Sequence, residues 1–225
     1  MVQAVIFDLD GCLVDSEVLS LAAIADEAER LGAGRITMPE MAREILGLQM
    51  PRIGAWIAAR GGRNVPGDFA ARIDTALMAL YPDKLRAVAG ATELLRALEG
   101  QGVRMAVATG SAAPRMRLAL EVTGLAGFFS GSACSADAVA RGKPAPDLFL
   151  HAAEVIGQRP DTCLVLEDSP HGVEGALSAG MRVVGFVGGG HLEGLRDDHG
   201  AVLRRAGCHA IVRDLSDFQR IALEG

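Results

Sequence analysis

The sequence predicts an α/β fold: a parallel β-sheet flanked by helices, with a helical domain inserted after the first strand. Three observations carry this. The chain opens on Ala4-Val5-Ile6-Phe7, an unbroken apolar run of β-branched and aromatic types that reads as a fully buried strand. Between about Ser16 and Pro82, one helical periodicity follows another with no convincing strand. From Arg86 onward, helices alternate with the short apolar runs Val103–Ala108, Cys163–Leu166, Val183–Val187 and Ala210–Val212. That alternation is the pattern of strands laid parallel through helical crossovers. The opening strand has no partner until this second half. Residues 1–15 and 86–225 are therefore expected to form the core, and 16–85 an inserted helical unit, with hinges near Val14–Glu17 and Pro82–Arg86.

The elements follow in order. The first strand stops at Asp8, and Gly11 lets the chain turn sharply. Ser16 is a suitable N-cap for a helix carrying Leu21, Ile24, Ala25, Ala28 and Leu31, which Gly32 ends. Thr37-Met38-Pro39-Glu40 resembles a capping box, so a second helix carries Met41 and Ile45 inward. Gly47 and Pro51 punctuate it. Ile53, Trp56 and Ile57 suggest a third helix, with Trp56 in the core of the inserted unit or lining a cleft, and Phe69, Ile73, Leu77 and Leu80 a fourth.

With 225 residues, half of them hydrophobic and 22% charged, the chain is globular in composition and long enough for one domain with an insertion. A net charge of −6 argues against nucleic acid as a partner, because a phosphate backbone demands clustered cations. The N-terminal apolar run is too short, and too soon interrupted by Asp8 and Asp10, for a signal peptide. No stretch is long and apolar enough to span a bilayer. Cys12, Cys134, Cys163 and Cys208 show no CxxC spacing, which fits a reducing cytoplasm. A monomer is expected. The cations are lopsided, 20 Arg against Lys84 and Lys143. A lysine offers a compact point charge where arginine offers a planar fork.

The polar residues that follow the strands suggest chemistry, because ligands bind outside the carboxyl ends of strands in open parallel sheets. Asp8 and Asp10, two apart on extended backbone, point to the same side. A carboxylate pair at the end of a buried strand is electrostatically expensive unless a cation joins it or one member carries a proton. Phosphoryl transfer meets both conditions. Asp8 is the candidate nucleophile, forming an aspartyl-phosphate, and Asp10 the candidate general acid and base. Thr109, with the amides of Gly110 and Ser111 at a helix start, suggests an anion site; ordinary N-capping by Ser111 would be compatible with it. Lys143, between Gly142 and Pro144, suits a charge aimed at a transition state. Glu167 and Asp168 form a second acidic pair; Asp8 with Asp168 would hold Mg2+, and Glu167 would join directly or through water. Ser169-Pro170 then fits an N-cap followed by the first helical residue.

The four segments Asp8-Leu9-Asp10-Gly11, Thr109-Gly110-Ser111, Lys143 and Glu167-Asp168-Ser169 resemble the four motifs of the haloacid dehalogenase-like hydrolase superfamily. The insertion after the first strand resembles its helical-cap branch, which includes phosphoglycolate phosphatase, sugar-phosphate phosphatases and β-phosphoglucomutase. The resemblance implies a Rossmann-like core with an α-helical cap that closes to exclude water during attack. It implies a Mg2+ site made by the side chains of Asp8 and Asp168 and the backbone carbonyl of Asp10. It also implies that Thr109 and Lys143 hold the phosphoryl group. Dehalogenases of the superfamily lack the second Asp of the pair, so Asp10 points to phosphate chemistry.

Cys12 stands where Thr is common in such enzymes, and Gly110 where Asn is common. Residues 45–52 match the family's specificity loop around Gly47, making Gly47, Leu48, Gln49 and Arg52 the candidate substrate contacts. The mutases place an Arg three residues after that Gly; here the position is Met50, with Arg52 displaced. The expectation is a Mg2+-dependent phosphomonoesterase acting on a small phosphorylated metabolite such as a sugar or polyol phosphate. A β-phosphoglucomutase-like mutase and a non-catalytic phosphosugar-binding module are the alternatives. Gly188-Gly189-Gly190 lacks the context of a dinucleotide loop. The five histidines show no metal-ligand spacing; His171, nearest the acidic pair in sequence, is expected on a helix surface.

Overall fold

In the computed structural model, which describes residues 2–45, 48, 50–61 and 64–224, strand β1 is Ala4–Phe7, and all four of its side chains are wholly buried. The chain divides into two units, Met1–Asp15 with Arg86–Gly225, and Ser16–Leu85.

Ser16–Leu85 contains helices α1 (Ser16–Arg30), α2 (Met38–Ile45), α3 (Met50–Gly61) and α4 (Phe69–Lys84), with no strand among the described residues. Each helix buries one stripe. On α4 this is Phe69, Ile73, Leu77 and Tyr81, so Tyr81 takes the inward place expected of Leu80, which is half-buried. An i, i+4 register carried through four turns explains the choice. Trp56, expected in the core, is half-buried, with the Arg60 guanidinium 4.9 Å from its ring centre. The carboxylate of Glu27 is buried and paired with Arg30 at 3.0 Å and Arg72 at 3.2 Å, as a desolvated anion requires.

The other unit carries a six-stranded sheet. To β1 it adds β2 (Arg104–Thr109), β3 (Ala133–Ser135), β4 (Cys163–Glu167), β5 (Arg182–Phe186) and β6 (Ala210–Val212), all parallel, in the order β3-β2-β1-β4-β5-β6. The sequence reading missed β3. Its three residues, Ala-Cys-Ser, are too few and too small to show periodicity, and pairing with β2 is what makes them a strand. Helices α5 (Ala91–Gly100), α6 (Ala113–Val122), α7 (Asp147–Val155), α8 (Pro170–Ser178), α9 (Arg196–Ala206) and α10 (Leu215–Glu224) complete the unit. At the centre, Phe7 meets Phe129 and Phe218 edge-on, with ring centres 6.1 and 5.9 Å apart.

Register decides where the chemistry lies. Phe7 is level with Val107 on β2 and Leu166 on β4, so Asp8, Thr109 and Glu167 emerge at the same sheet edge. The chain runs from β1 out to β2 and β3 on one side, then crosses back to β4 on the other. β1 and β4 therefore flank the switch point where open α/β sheets bind ligands. No helix among the described residues is long and apolar enough to cross a membrane, and the four cysteines are free thiols.

Candidate active site

The site begins where β1 ends. The Asp8 amide donates to Leu166 O at 2.9 Å, which carries the strand pairing one residue further and fixes the Asp8 backbone. The chain then closes a tight loop: the amides of Leu13 and Val14 donate to Leu9 O, and that of Gly11 to Val14 O. Gly11 has φ +81°, and a Cβ there would lie 2.1 Å from Asp168 Oδ2, so both backbone angle and space demand glycine.

Lys143 projects from the loop before α7. Its Nζ donates to Asp8 Oδ1 at 2.5 Å and to Glu167 Oε1 at 2.6 Å, over the ring of Phe149 at 5.2 Å. A two-pronged Arg141–Asp147 ion pair, 3.1 and 2.8 Å, ties the two ends of the loop. Burial pulls the Lys143 ammonium down, but the Asp8 and Glu167 carboxylates outweigh it and hold its pKa above the usual value. Burial pushes the Asp8 carboxyl well up; Lys143 opposes this, while Glu167, Asp168 and Asp10 add to it. Asp168 is raised well above its usual range by burial first and by Glu167 next.

Glu167 is wholly buried, with both oxygens engaged. Oε1 receives Lys143, and Oε2 receives the Ser169 amide at 2.8 Å and the Ser169 hydroxyl at 3.0 Å. Glu167, expected to join the metal directly or through water, has its oxygens on Lys143 and Ser169. Ser169 also caps α8 by accepting from the Gly172 amide at 3.0 Å. A Cβ on Gly172 would fall 1.6 Å from Glu167 Oε1. Because that carboxylate is pinned, Gly172→Ala is expected to lower stability by about 1–3 kcal/mol in urea unfolding. A variant as stable as the parent would mean that Glu167 moves aside freely.

Asp10 faces β2. Its Oδ2 accepts from Thr109 Oγ1 at 2.9 Å and from Ser111 Oγ at 2.5 Å. Thr109 in turn accepts the Ser111 amide at 3.0 Å, and Arg115, in the first turn of α6, donates Nε and Nη2 to Ser111 Oγ at 3.0 and 2.5 Å. Ser111 is thus not the N-cap of α6. The amide of Ala113 is instead taken by Asp137 Oδ2 at 2.7 Å, a partner distant in sequence. Gly110 is exposed, and a Cβ there would meet nothing within 4 Å.

Asp8, Cys12 and Asp168 each present a possible ligand atom, all within 4.8 Å of one another. Carboxylates are what a hard divalent cation takes. Burial pushes the Cys12 thiol well above its ordinary pKa, with Asp168 and Asp8 adding to it; a hard cation takes oxygen in preference to sulfur, which leaves the two aspartates as the donors. The buried carboxylates of Asp8, Glu167 and Asp168 face one ammonium, that of Lys143, and a cation fits this imbalance.

Sequence reasoning missed two histidines at Asp168. His191 Nε2 stands 3.3 Å from Asp168 Oδ2, and His199 Nε2 lies 2.6 Å from the Asp168 backbone oxygen. His171, by contrast, is exposed on α8. The one available signal was the glycine run before His191, a mark of close backbone approach. Of the expected substrate contacts, Gly47 and Gln49 lie outside the described residues, Leu48 is half-buried with its amide donating to Ile45 O, and Arg52 is exposed on α3.

The family model of the haloacid dehalogenase-like hydrolases matches residues 2–180. A probable pseudouridine-5'-phosphatase of Drosophila melanogaster is 35% identical over 185 residues, 80% of this chain and 79% of that protein. Hexitol phosphatase A of Escherichia coli (strain K12) is 32% identical over 180 residues, 80% of each chain. Among solved structures, a HAD family hydrolase from Deinococcus radiodurans R1 with bound phosphate and sodium superposes with a TM-score of 0.83 at 32% identity, covering 99% of this chain and 96% of that one.

Proposed function

The chain belongs to the haloacid dehalogenase-like hydrolase family, and we propose that it is a Mg2+-dependent phosphatase of a small phosphorylated metabolite, a sugar or polyol phosphate, acting through an aspartyl-phosphate on Asp8. The observation that carries the reading is the Lys143 ammonium, 2.5 Å from Asp8 Oδ1, on a carboxylate at the sheet's switch point. The relatives above, named as phosphatases of phosphorylated nucleosides and hexitols, support the substrate class.

In this reading, Asp8 attacks phosphorus and its carboxylate becomes the acyl phosphate. Lys143 compensates charge that builds on the phosphoryl oxygens, and Glu167 keeps its ammonium aimed. The Gly110 amide binds the phosphoryl group, and the Thr109 hydroxyl, whose single proton is donated to Asp10 Oδ2 in the free protein, turns to join it. The Ser111 hydroxyl on Asp10 Oδ2 holds that carboxyl in one orientation, from which Asp10 gives a proton to the leaving alcohol. Asp10 then takes a proton from the water that cleaves the acyl phosphate. Asp8 and Asp168, with the Asp10 backbone carbonyl, would hold Mg2+, which supplies charge neutralisation and a template for the phosphate. Residues 47–52, with Leu48 and Arg52, are assigned substrate choice.

The test is a panel of phosphorylated sugars, polyols and nucleosides assayed for phosphate release with and without chelation. Chelation is expected to lower turnover by at least about 100-fold, and added Mg2+ to restore it. Turnover indifferent to chelation, or none across the panel, would overturn the proposal. Accumulating sugar bisphosphate in place of inorganic phosphate would point to the mutase instead.

A further inference from the structure

We propose that His191 is a positioning residue for the metal site: it holds the Asp168 carboxylate in the orientation that receives the divalent cation. The inference rests on the reading above that Asp168 is a metal ligand, and adds a residue that neither the motifs nor the mechanism uses.

The loop after β5 is built to place this side chain. The amide of Val187 donates to Val212 O at 2.9 Å, which extends the β5–β6 pairing. A Cβ on Gly188 would fall 2.1 Å from Arg213 O, so only glycine lets the loop leave the sheet there. The amide of Gly190 then donates to Asp15 Oδ1 at 2.8 Å, anchoring the loop to the segment that follows β1. Between these anchors the imidazole of His191 turns inward and is buried, 6% exposed as a residue.

Two glycines, one from each loop, make the slot it fills. A Cβ on Gly11 would sit 2.8 Å from His191 Cε1, and one on Gly189 would sit 2.7 Å from both Cε1 and Nδ1. The ring is thereby aimed at Asp168, with Nε2 at 3.3 Å from Oδ2. The Asp168 backbone is held separately. A carbonyl only accepts, so His199 Nε2 is the donor to Asp168 O at 2.6 Å. His199 holds the main chain, and in this proposal His191 limits the rotation of the carboxylate.

Such a clamp has a physical purpose. Asp168 shares its buried surroundings with Asp8 and Glu167, and Lys143 is committed to those two. Its own backbone amide reaches the Asp168 carboxylate, but without a side chain against Oδ2 the group would be freer to turn from its neighbours, and a cation would first have to bring it back. Carboxylates that ligate metals are commonly hydrogen-bonded from behind, and loss of that partner lowers metal affinity about 10–100-fold. His191 supplies the partner from a loop that carries none of the four motifs.

The experiment is calorimetric titration of Mg2+ into metal-stripped protein, for wild type, His191→Leu and His191→Gln. Leucine fills the slot without a donor; glutamine places an amide nitrogen near the position of Nε2. The leucine variant is expected to bind Mg2+ about 10–100-fold more weakly and the glutamine variant to recover most of the loss. At saturating Mg2+, KM for the phosphate ester should hold in both. A merely structural role would lower the melting temperature of the metal-free protein without separating the two variants in Mg2+ affinity. Should the leucine variant not fold, His191→Asn, whose amide is too short to reach, replaces it in the comparison with glutamine. Wild-type affinity in the donor-less variant, or equal loss in both, overturns the inference alone. A wild-type protein that binds no Mg2+ overturns the cation reading together with it.

Discussion

Asp8→Asn is expected to lower turnover by about 10⁴-fold or more while the protein stays folded. The substitution is nearly isosteric, and its amide oxygen can still accept from Lys143, so the surroundings in the native structure (Lys143 at 2.5 Å, the backbone bond to Leu166 O) are kept. What it removes is the anion that attacks phosphorus, and no neighbour replaces it: Asp10 is turned toward Thr109 and Ser111, and Glu167 is bound to Lys143 and Ser169. Stability is expected to hold or rise, because burial already disfavours the Asp8 anion and a neutral amide escapes that penalty. The two readouts are phosphate release under single-turnover conditions and a thermal melt. A folded variant that works within tenfold of the parent would take Asp8 out of the nucleophile's role.

Lys143→Met is expected to impair both stability and chemistry. The ammonium is the shared partner of two buried carboxylates, and its side chain is only 10% exposed. Deleting the cation leaves Asp8 and Glu167 without their shared counter-charge, at a cost of about 3–5 kcal/mol, which urea unfolding of the metal-free protein would read. Catalysis should fall by about 10²–10³-fold, the usual loss when one preorganised donor to a developing charge is removed. Lys143→Arg should restore stability better than activity, since a planar fork cannot bring a point charge between Asp8 Oδ1 and Glu167 Oε1. Unchanged unfolding in the methionine variant would mean that Asp8 and Glu167 do not depend on this lysine.

Both expectations turn on which groups touch, and that is where the sequence stopped being informative. The strands and the helical insertion were legible because burial writes a period into the chain: runs such as Ala4–Phe7 and Cys163–Leu166 are apolar at every position, while Phe69, Ile73 and Leu77 recur at helical spacing. β3 was not legible, because three small residues become a strand only through pairing with β2. Ser111 looked like a helix cap, and such a reading is sound locally. It fails here because Asp10, 101 positions away, competes for the same hydroxyl. His191 and His199 show no ligand spacing along the chain, because their common partner, Asp168, lies just past the end of β4, more than twenty residues earlier.

By itself the sequence determined the fold class, the family, and which residues stand at the ends of the strands, for all of these follow from local pattern and local turn chemistry. Only the tertiary structure decided the partners of the site's polar groups: Lys143 between Asp8 and Glu167, Asp10 beneath two hydroxyls, Asp168 beside His191 with its backbone oxygen on His199. The reason is electrostatic. A buried ionic group must find its complement within hydrogen-bond reach wherever the fold supplies one, and that distance carries no trace in the order of the residues.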